Sequence, residues 1–501
     1  MTALDKDFRL ADFKLLLPLR RDVRTLVIAT ADTRFLLHLA NELGEVHVIN
    51  SNSQSSPAAS SDDKLQRLTR PEGLYGLVFS DSLDAACHLS PGGTLCHFEP
   101  AHSGKPTDLP DGLTLIGAWR AFPSWPNFRV LIPDHPVGWR AAIRGLRLLS
   151  VRSLLGVIAR LRPSAAARAL PRHRIALYQQ QSADQCAPVC LLEDVNTVLQ
   201  SAAGRGAGKH NFEPANWIPV SGQLGPGNPI LAFRFDNTGS LRELIKVARY
   251  PDTDHLLLEA NKLQFIKTTL GPTLAARVIL PTAAAFVDGR HALAYDYVPT
   301  FTFSGLRWGL QARRTFCLAM TDWLADIGLG TLRNDDFATA EHLHCAPLRQ
   351  LVERHILPAG MQADALRALH WLTAQTSLPT VFEHGDLGIY NTRMISANGS
   401  EFKVLDWGSS TFEGIPLGDL AYLLSSARAS TALAAQCLQR YLQCLQLSSD
   451  AAAPLWFAYL ARRWAELDSV RTPVASDPRS GGGVLLAIHD QVWPSLQRLT
   501  A

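Results

Sequence analysis

Residues 381–408 read VFEHGDLGIYNTRMISANGSEFKVLDWG, and the reading of the C-terminal half starts from this stretch. It places a carboxylate, Asp386, then a carboxamide five residues on, Asn391, and a second carboxylate, Asp406, after a hairpin-like interval. Such a set can hold a divalent metal and orient a hydroxyl group. Magnesium takes oxygen ligands in a near-octahedral shell and keeps several waters, so Asn391 and Asp406 beside nucleotide phosphates suffice to fix it. Asp386 is then left to accept a proton from an attacking hydroxyl, or to aim it. A lone His-Gly-Asp tripeptide arises from ordinary turn chemistry, whereas several ordered elements at fixed intervals form a specific signal.

The spacing resembles that of the aminoglycoside phosphotransferase and choline kinase group of small-molecule kinases, whose pattern is His-Gly-Asp, four residues, Asn, then an apolar run ending in Asp-Trp. GIPLGDLAYLL extends the likeness through Gly414, Pro416, Asp419, Leu420 and Ala421, and the resemblance covers 172–501. It implies an α+β, bilobal protein-kinase-like domain, with an N-terminal lobe over 172–299 and a mostly helical C-terminal lobe over 300–501. The implied reaction moves the γ-phosphoryl group of ATP or GTP to a hydroxyl of a small molecule. Asp386 would act on the acceptor, Asn391 and Asp406 would hold Mg2+, and His384 would brace the catalytic loop by hydrogen bonding, with Gly385 giving backbone freedom.

Two departures concern the acceptor. Leu387, Gly388, Ile389 and Tyr390 fill the interval where the family has His-Pro-Gly or similar, which turns Tyr390 toward the acceptor, and Gly408 follows Asp-Trp where Glu is frequent. Aminoglycosides are polycations and call for acidic sites, for which Asp335, Asp336, Glu341 and Glu383 make only a modest local case. A sugar, amino alcohol or lipid-linked glycan intermediate is an equal candidate.

Upstream, the resemblance asks for a turn over the phosphates, a strand lysine and a helix acid, and candidates occur in that order. PVSGQLGPGNPILAFRFD (219–236) reads as strand, turn and strand, with Gly222, Gly225 and Gly227 able to bring backbone close to phosphate. LRELIKVARY (241–250) is an alternating strand whose Lys246 is set like the lysine of a Val-Ala-Ile-Lys strand. HLLLEANKLQFIKTTL (255–270) is a helix with Glu259 available to pair Lys246, although Glu243 competes. In the family the lysine grips the α and β phosphates and the glutamate holds the lysine. ALAYDYVPT (292–300) occupies the connection between lobes, where backbone of Tyr295 to Tyr297 is the candidate adenine contact. GRGAGKH (204–210) imitates a P-loop, but Ala203 replaces the first glycine and His210 the hydroxyl residue that would reach magnesium.

Residues 1–135 alternate strands and helices. RTLVIAT, a helix over TRFLLHLANELG and EVHVIN form a βαβ unit, and LYGLVFSDSLDAACHLSPGGTLCHFEP has the order of another. This α/β region resembles a Rossmann-type methyltransferase domain, chiefly through SDSLDAACHLSPGGTL. Its cofactor loop lacks the family's glycines: Ala29, Thr30, Ala31, Asp32 and Thr33 stand there, and Asn50 replaces the ribose-binding acid. A degenerate domain that supports or recruits is therefore expected, with an active methyltransferase as the alternative.

Between the two regions, 136–171 reads as a basic amphipathic helical linker. From His135 to Ala183 there is no acid and there are nine arginines, with Arg140, Arg144 and Arg147 on one helical face. Peripheral contact of 138–174 with an anionic membrane at the inner face is one reading. A helix bridging two domains is the other, and is preferred because arginine stems also cover apolar protein surface. A net charge of +3 is too small to argue for nucleic acid, and no apolar run is long enough to span a bilayer. Eight scattered cysteines, with an N-terminus unlike a secretory leader, point to a cytoplasmic protein with reduced thiols.

Overall fold

Strands that are apolar on both faces need packing layers over both faces, and the first half of the chain supplies several such strands. In the computed structural model, β1 (Thr25–Ile28), β2 (Val46–Ile49), β3 (Leu65–Arg67), β4 (Tyr75–Ser80) and β5 (Leu89–Pro100) lie parallel in the order β3-β2-β1-β4-β5. The structure describes residues 8–17, 22–28, 42–49, 65–68, 70–100, 109–122, 130–148, 173–181, 190–204, 216–221, 228–298, 309–468 and 481–500. The candidate helix over TRFLLHLANELG and the residues Ala29 to Thr33 and Asn50 lie outside them.

β6 (Leu113–Phe122) and β7 (Val130–Pro133) follow, and β8 (His173–Gln180) inserts antiparallel between β5 and β6. The sequence boundary near 172 assigned β8 to the kinase-like lobe, but the strand pairs instead with the N-terminal sheet. Ile175, Ala176, Leu177 and Tyr178 are all buried, so both faces of the strand are covered, and its backbone pairs on both edges with β5 and β6. The lobe's own strands are β9 (Trp217–Ser221), β10 (Ile230–Phe235), β11 (Leu241–Val247), β12 (Ala283–Val287) and β13 (Arg290–Asp296), all antiparallel to their neighbours. They continue the same sheet, because Val130 of β7 pairs with Val220 of β9, giving 13 strands.

Among the described residues, two helices pack on this sheet. α1 (Pro136–Leu148) buries Ala141 and Ala142 against Val130, Ile132, Ile218 and Phe233, with Arg140 exposed. The side chains of Arg144 and Arg147, and residues 149–172, lie outside the described set. α2 (Leu191–Ala202) packs Leu191, Leu192, Val195 and Leu199 on Trp217, Ile230, Ile245 and Val247. A 3₁₀ segment, Phe8–Leu16, ties N-terminal to lobe residues. Arg249 donates twice to Asp12, at 2.9 and 3.0 Å, Ser221 donates to the same carboxylate, and Glu42 accepts from both Lys14 and Arg290. Charges buried to this degree persist only when matched, which these are.

The chain divides into two compact units. The sheet belongs to Thr2–Leu257 with Pro281–Val298, and the other unit comprises Leu258–Leu280 with Pro299–Ala501. Most of α3 (His255–Thr269), placed by sequence in the N-terminal lobe, thus falls in the second unit. Phe265 meets Phe412 edge-on at 4.9 Å, and after α4 (Pro272–Ala275) the Arg277 carbonyl accepts from the Val404 amide at 2.7 Å. This unit is mostly helical: α5 (Leu310–Thr331), α6 (Phe337–His344), α7 (Ala346–Glu353), α8 (Ala359–Thr373), α9 (Gly418–Ser426), α10 (Thr431–Cys444), α11 (Ala452–Asp468) and α12 (Gly481–Thr500). β14 (Arg333–Asp336), β15 (Ser377–Glu383) and β18 (Thr411–Gly414) form one small sheet, and β16 (Thr392–Met394) with β17 (Phe402–Val404) a hairpin.

Candidate active site

β15 delivers its last residue, Glu383, into the interior, and the chain then turns sharply through His384-Gly385-Asp386. The turn requires glycine: Gly385 has φ +80°, and a Cβ there would collide with the Ser409 carbonyl. Asp419, at the start of α9, accepts the amides of His384 at 2.6 Å and Gly385 at 3.0 Å, clamping the loop from beneath. Glu383 beside it pairs with Arg462 of α11 and accepts the Ile415 amide at 2.9 Å. Burial pushes the carboxyls of Glu383 and Asp419 above their ordinary range.

His384 is fixed as a neutral ring. Its Nδ1 accepts the Asp386 amide at 3.2 Å, so Nε2 carries the proton and donates to the Leu405 carbonyl at 3.0 Å. The ring lies 4.6 Å from that of Trp407, and burial lowers its pKa. It spans the gap between the two chain segments that carry the candidate ligands.

Those segments are joined by the β16–β17 hairpin, closed at Asn398 and Gly399, where Asn398 Oδ1 accepts the Ser400 amide at 3.1 Å and Gly399 takes φ +82°. Pairing of Thr392 with Val404, and the Leu405 amide donating to the Asn391 carbonyl at 3.0 Å, bring Asn391 beside Asp406. Asn391 Nδ2 donates to the Asp386 carbonyl at 2.8 Å and to its Oδ2 at 3.0 Å, which leaves Oδ1 as the atom that can ligate a cation. Asp406 is exposed and held left-handed, with φ +67° and ψ +64°, a conformation that costs a non-glycine residue about 1–3 kcal/mol and persists where surroundings impose it. The next residue, Trp407, is buried and stacked on Phe382 at 5.7 Å.

Asp386 is half-buried, and burial raises its pKa, opposed by the Arg463 guanidinium and the hydrogen bond from Asn391. The carboxylates of Asp386, Asp406 and Glu259 all act electrostatically on His384, so these three acids share one neighbourhood. Glu259 is buried on α3, and a Cβ at Gly408 would lie 4.0 Å from its Oε2. An acid at 408 would therefore face Glu259, which gives a physical reason for Gly408. Among the described residues no group of three or more His, Cys, Asp or Glu side chains is placed to hold a metal, and the oxygen pair Asn391 and Asp406 is the candidate set.

Lys246 belongs to the other unit. It is buried on β11 between Leu231 and Leu293, 5.6 Å from the Tyr295 ring centre. The competing acid Glu243 accepts from Arg234 at 3.0 Å and from Gln200 at 3.3 Å. The Tyr297 amide, one candidate adenine contact, is already donated to the Arg242 carbonyl at 2.9 Å. Gly222, Gly225 and Gly227 lie outside the described residues. Sequence reasoning missed Asp419, Arg462 and Arg463 as site residues. Asp419 stands in GIPLGDLAYLL, where spacing alone gives it no role, and an arginine 79 residues from Glu383 leaves no local signal.

The chain is similar to solved aminoglycoside phosphotransferases. One from Alicyclobacillus acidocaldarius aligns at 13% identity over 56% of this chain and 91% of that one, with a TM-score of 0.35. A second, from Streptomyces rimosus, gives 16% identity over 49% and 91%, with a TM-score of 0.31. A spectinomycin phosphotransferase solved with ADP and spectinomycin gives 11% over 57% and 92%, with a TM-score of 0.34. No family model matches the sequence, and no curated relative does.

Proposed function

We propose that this chain transfers the γ-phosphoryl group of ATP or GTP to a hydroxyl of a small molecule. The observation that carries the reading is the meeting of Asp386, Asn391 and Asp406 across one hairpin, around a histidine held neutral. Asp386 aims the acceptor hydroxyl and takes its proton. Its raised pKa makes it a stronger base than a free aspartate, and the Asn391 amide fixes its orientation. Asn391 Oδ1 and the Asp406 carboxylate suit Mg2+, which prefers few protein oxygens and several waters. Bound there, the ion would neutralise charge on the transferred phosphoryl oxygens. Lys246 is assigned to the α and β phosphates, Glu259 to holding that lysine, and Gly222, Gly225 and Gly227 to the phosphate turn, on the order of elements in the sequence. Catalysis would come from positioning and charge neutralisation.

The N-terminal region is assigned as a Rossmann-like domain without cofactor function. The parallel order β3-β2-β1-β4-β5 supports the architecture, and Ala29 to Thr33 in place of glycines argues against the cofactor. The arginine-rich segment is assigned to bridging rather than membrane contact, since α1 buries Ala141 and Ala142 on the sheet. No helix among the described residues is long and apolar enough to cross a membrane.

The test is mass spectrometry of hydroxyl compounds and cell extract incubated with protein, magnesium and γ-labelled nucleotide. A phosphorylated product that disappears with Asp386→Asn is expected. Full activity in that variant would overturn the assignment, and magnesium-dependent nucleotide binding with no transfer would favour a non-catalytic scaffold.

A further inference from the structure

Beside the carboxylate of Asp386, on the side away from the candidate metal ligands, stand two aromatic side chains. Tyr390, 41% exposed, donates its hydroxyl to Asp386 Oδ1 at 3.3 Å and meets the Tyr422 hydroxyl, the two rings lying at 76°. The Tyr390 ring lies over Gly388, where a Cβ would come within 2.5 Å of it. Gly388 itself has an ordinary extended backbone, with φ −88°, so its lack of a side chain serves the ring and not the turn. We propose that Tyr390 and Tyr422, seated over Gly388, form the acceptor subsite and select an uncharged, ring-bearing polyol rather than a polycation. This rests on the phosphotransferase reading above and names the substrate class for it.

The four acids that the sequence offered for a polycation are committed elsewhere. Asp335 accepts from the Thr380 hydroxyl at 2.7 Å, Asp336 caps α6 through the Thr339 amide at 2.9 Å, Glu341 pairs with Arg349 at 2.8 Å, and Glu383 is buried against Arg462. Arg463, the cation that acts on Asp386, is matched by Glu466. Beside the base stands a pair of aromatic faces with hydroxyls. That combination suits the apolar face and hydroxyl edge of a sugar-type ring. The Tyr390 hydroxyl also occupies the position on Oδ1 that an acceptor hydroxyl must take, so the acceptor would displace it and keep its ring as a wall.

The experiment measures nucleotide turnover by the full chain with magnesium, alone and with three probes: methyl α-glucoside, glucose 6-phosphate and streptomycin. Methyl α-glucoside is expected to stimulate turnover and become phosphorylated. Tyr390→Ala, and Gly388→Val, which displaces the ring while keeping the hydroxyl, should each raise its KM about tenfold without changing the KM for nucleotide. Preference for streptomycin or for glucose 6-phosphate, no stimulation by any probe, or an unchanged acceptor KM in both variants would each overturn the proposal. Turnover of nucleotide with the wrong acceptor leaves the phosphotransferase reading standing, whereas absence of magnesium-dependent nucleotide binding removes both.

Discussion

In the role proposed for it, the half-buried carboxylate of Asp386 must lose its proton to accept one from the acceptor, and this sets the direction of the expected pH dependence. Below its pKa the base is protonated and turnover is lost. Because burial lifts that pKa, the acid limb of kcat/KM should have its midpoint above the ordinary aspartate value of 3.8. A pH–rate profile checks this, and a midpoint at or below 3.8 would count against Asp386 as the base. Asp406→Ala should abolish magnesium-dependent nucleotide binding, which a magnesium titration followed by calorimetry would show. Both residues were legible from spacing in the sequence, because a turn, a carboxamide and a second acid at fixed intervals are a local pattern. The anchor of that pattern was not legible. Asp419 acts on backbone amides 35 and 34 residues away, and backbone donors leave no trace in side-chain identity.

At the scale of elements, the loop after β15 is held by a buried ion pair reaching to α11. Removing one partner strands the other charge, so Arg462→Ala should cost about 3–5 kcal/mol of stability. The double replacement Glu383→Gln with Arg462→Met should cost distinctly less, because no unmatched charge is then left behind. Urea denaturation of the three proteins checks the difference. Alternation of apolar and polar residues made β11 readable, and the resemblance implied the helical character of the C-terminal lobe. Neither signal tells a strand which sheet to join. β8 was not singled out in the sequence, and its partners β5 and β6 lie far from it along the chain.

For the molecule as a whole, the N-terminal strands and the strands carrying Lys246 share one sheet, and Asp12 with Arg249 fastens the two parts in the interior. A fragment of residues 182–501 would therefore lack β7, the neighbour of β9, and would leave Arg249 and Arg290 without Asp12 and Glu42. Such a fragment is expected to be insoluble or to lack a cooperative thermal transition, and Asp12→Ala in the full chain should lower stability by about 3–5 kcal/mol. A soluble fragment with an intact cooperative transition would show the sheet junction to be dispensable. The sequence resemblance divided the chain near residue 172 because motifs mark chemistry and not strand neighbours.

The place of β8 also bears on synthesis. β5 and β6 are completed early as the chain leaves the ribosome, yet their shared neighbour is not available until residue 180 has emerged. For that interval the nascent polypeptide holds two unpaired strand rims, the kind of surface that adheres to other chains. Slowed translation between residues 122 and 173 should therefore raise aggregation, and co-expressed chaperones that bind exposed strands should relieve it.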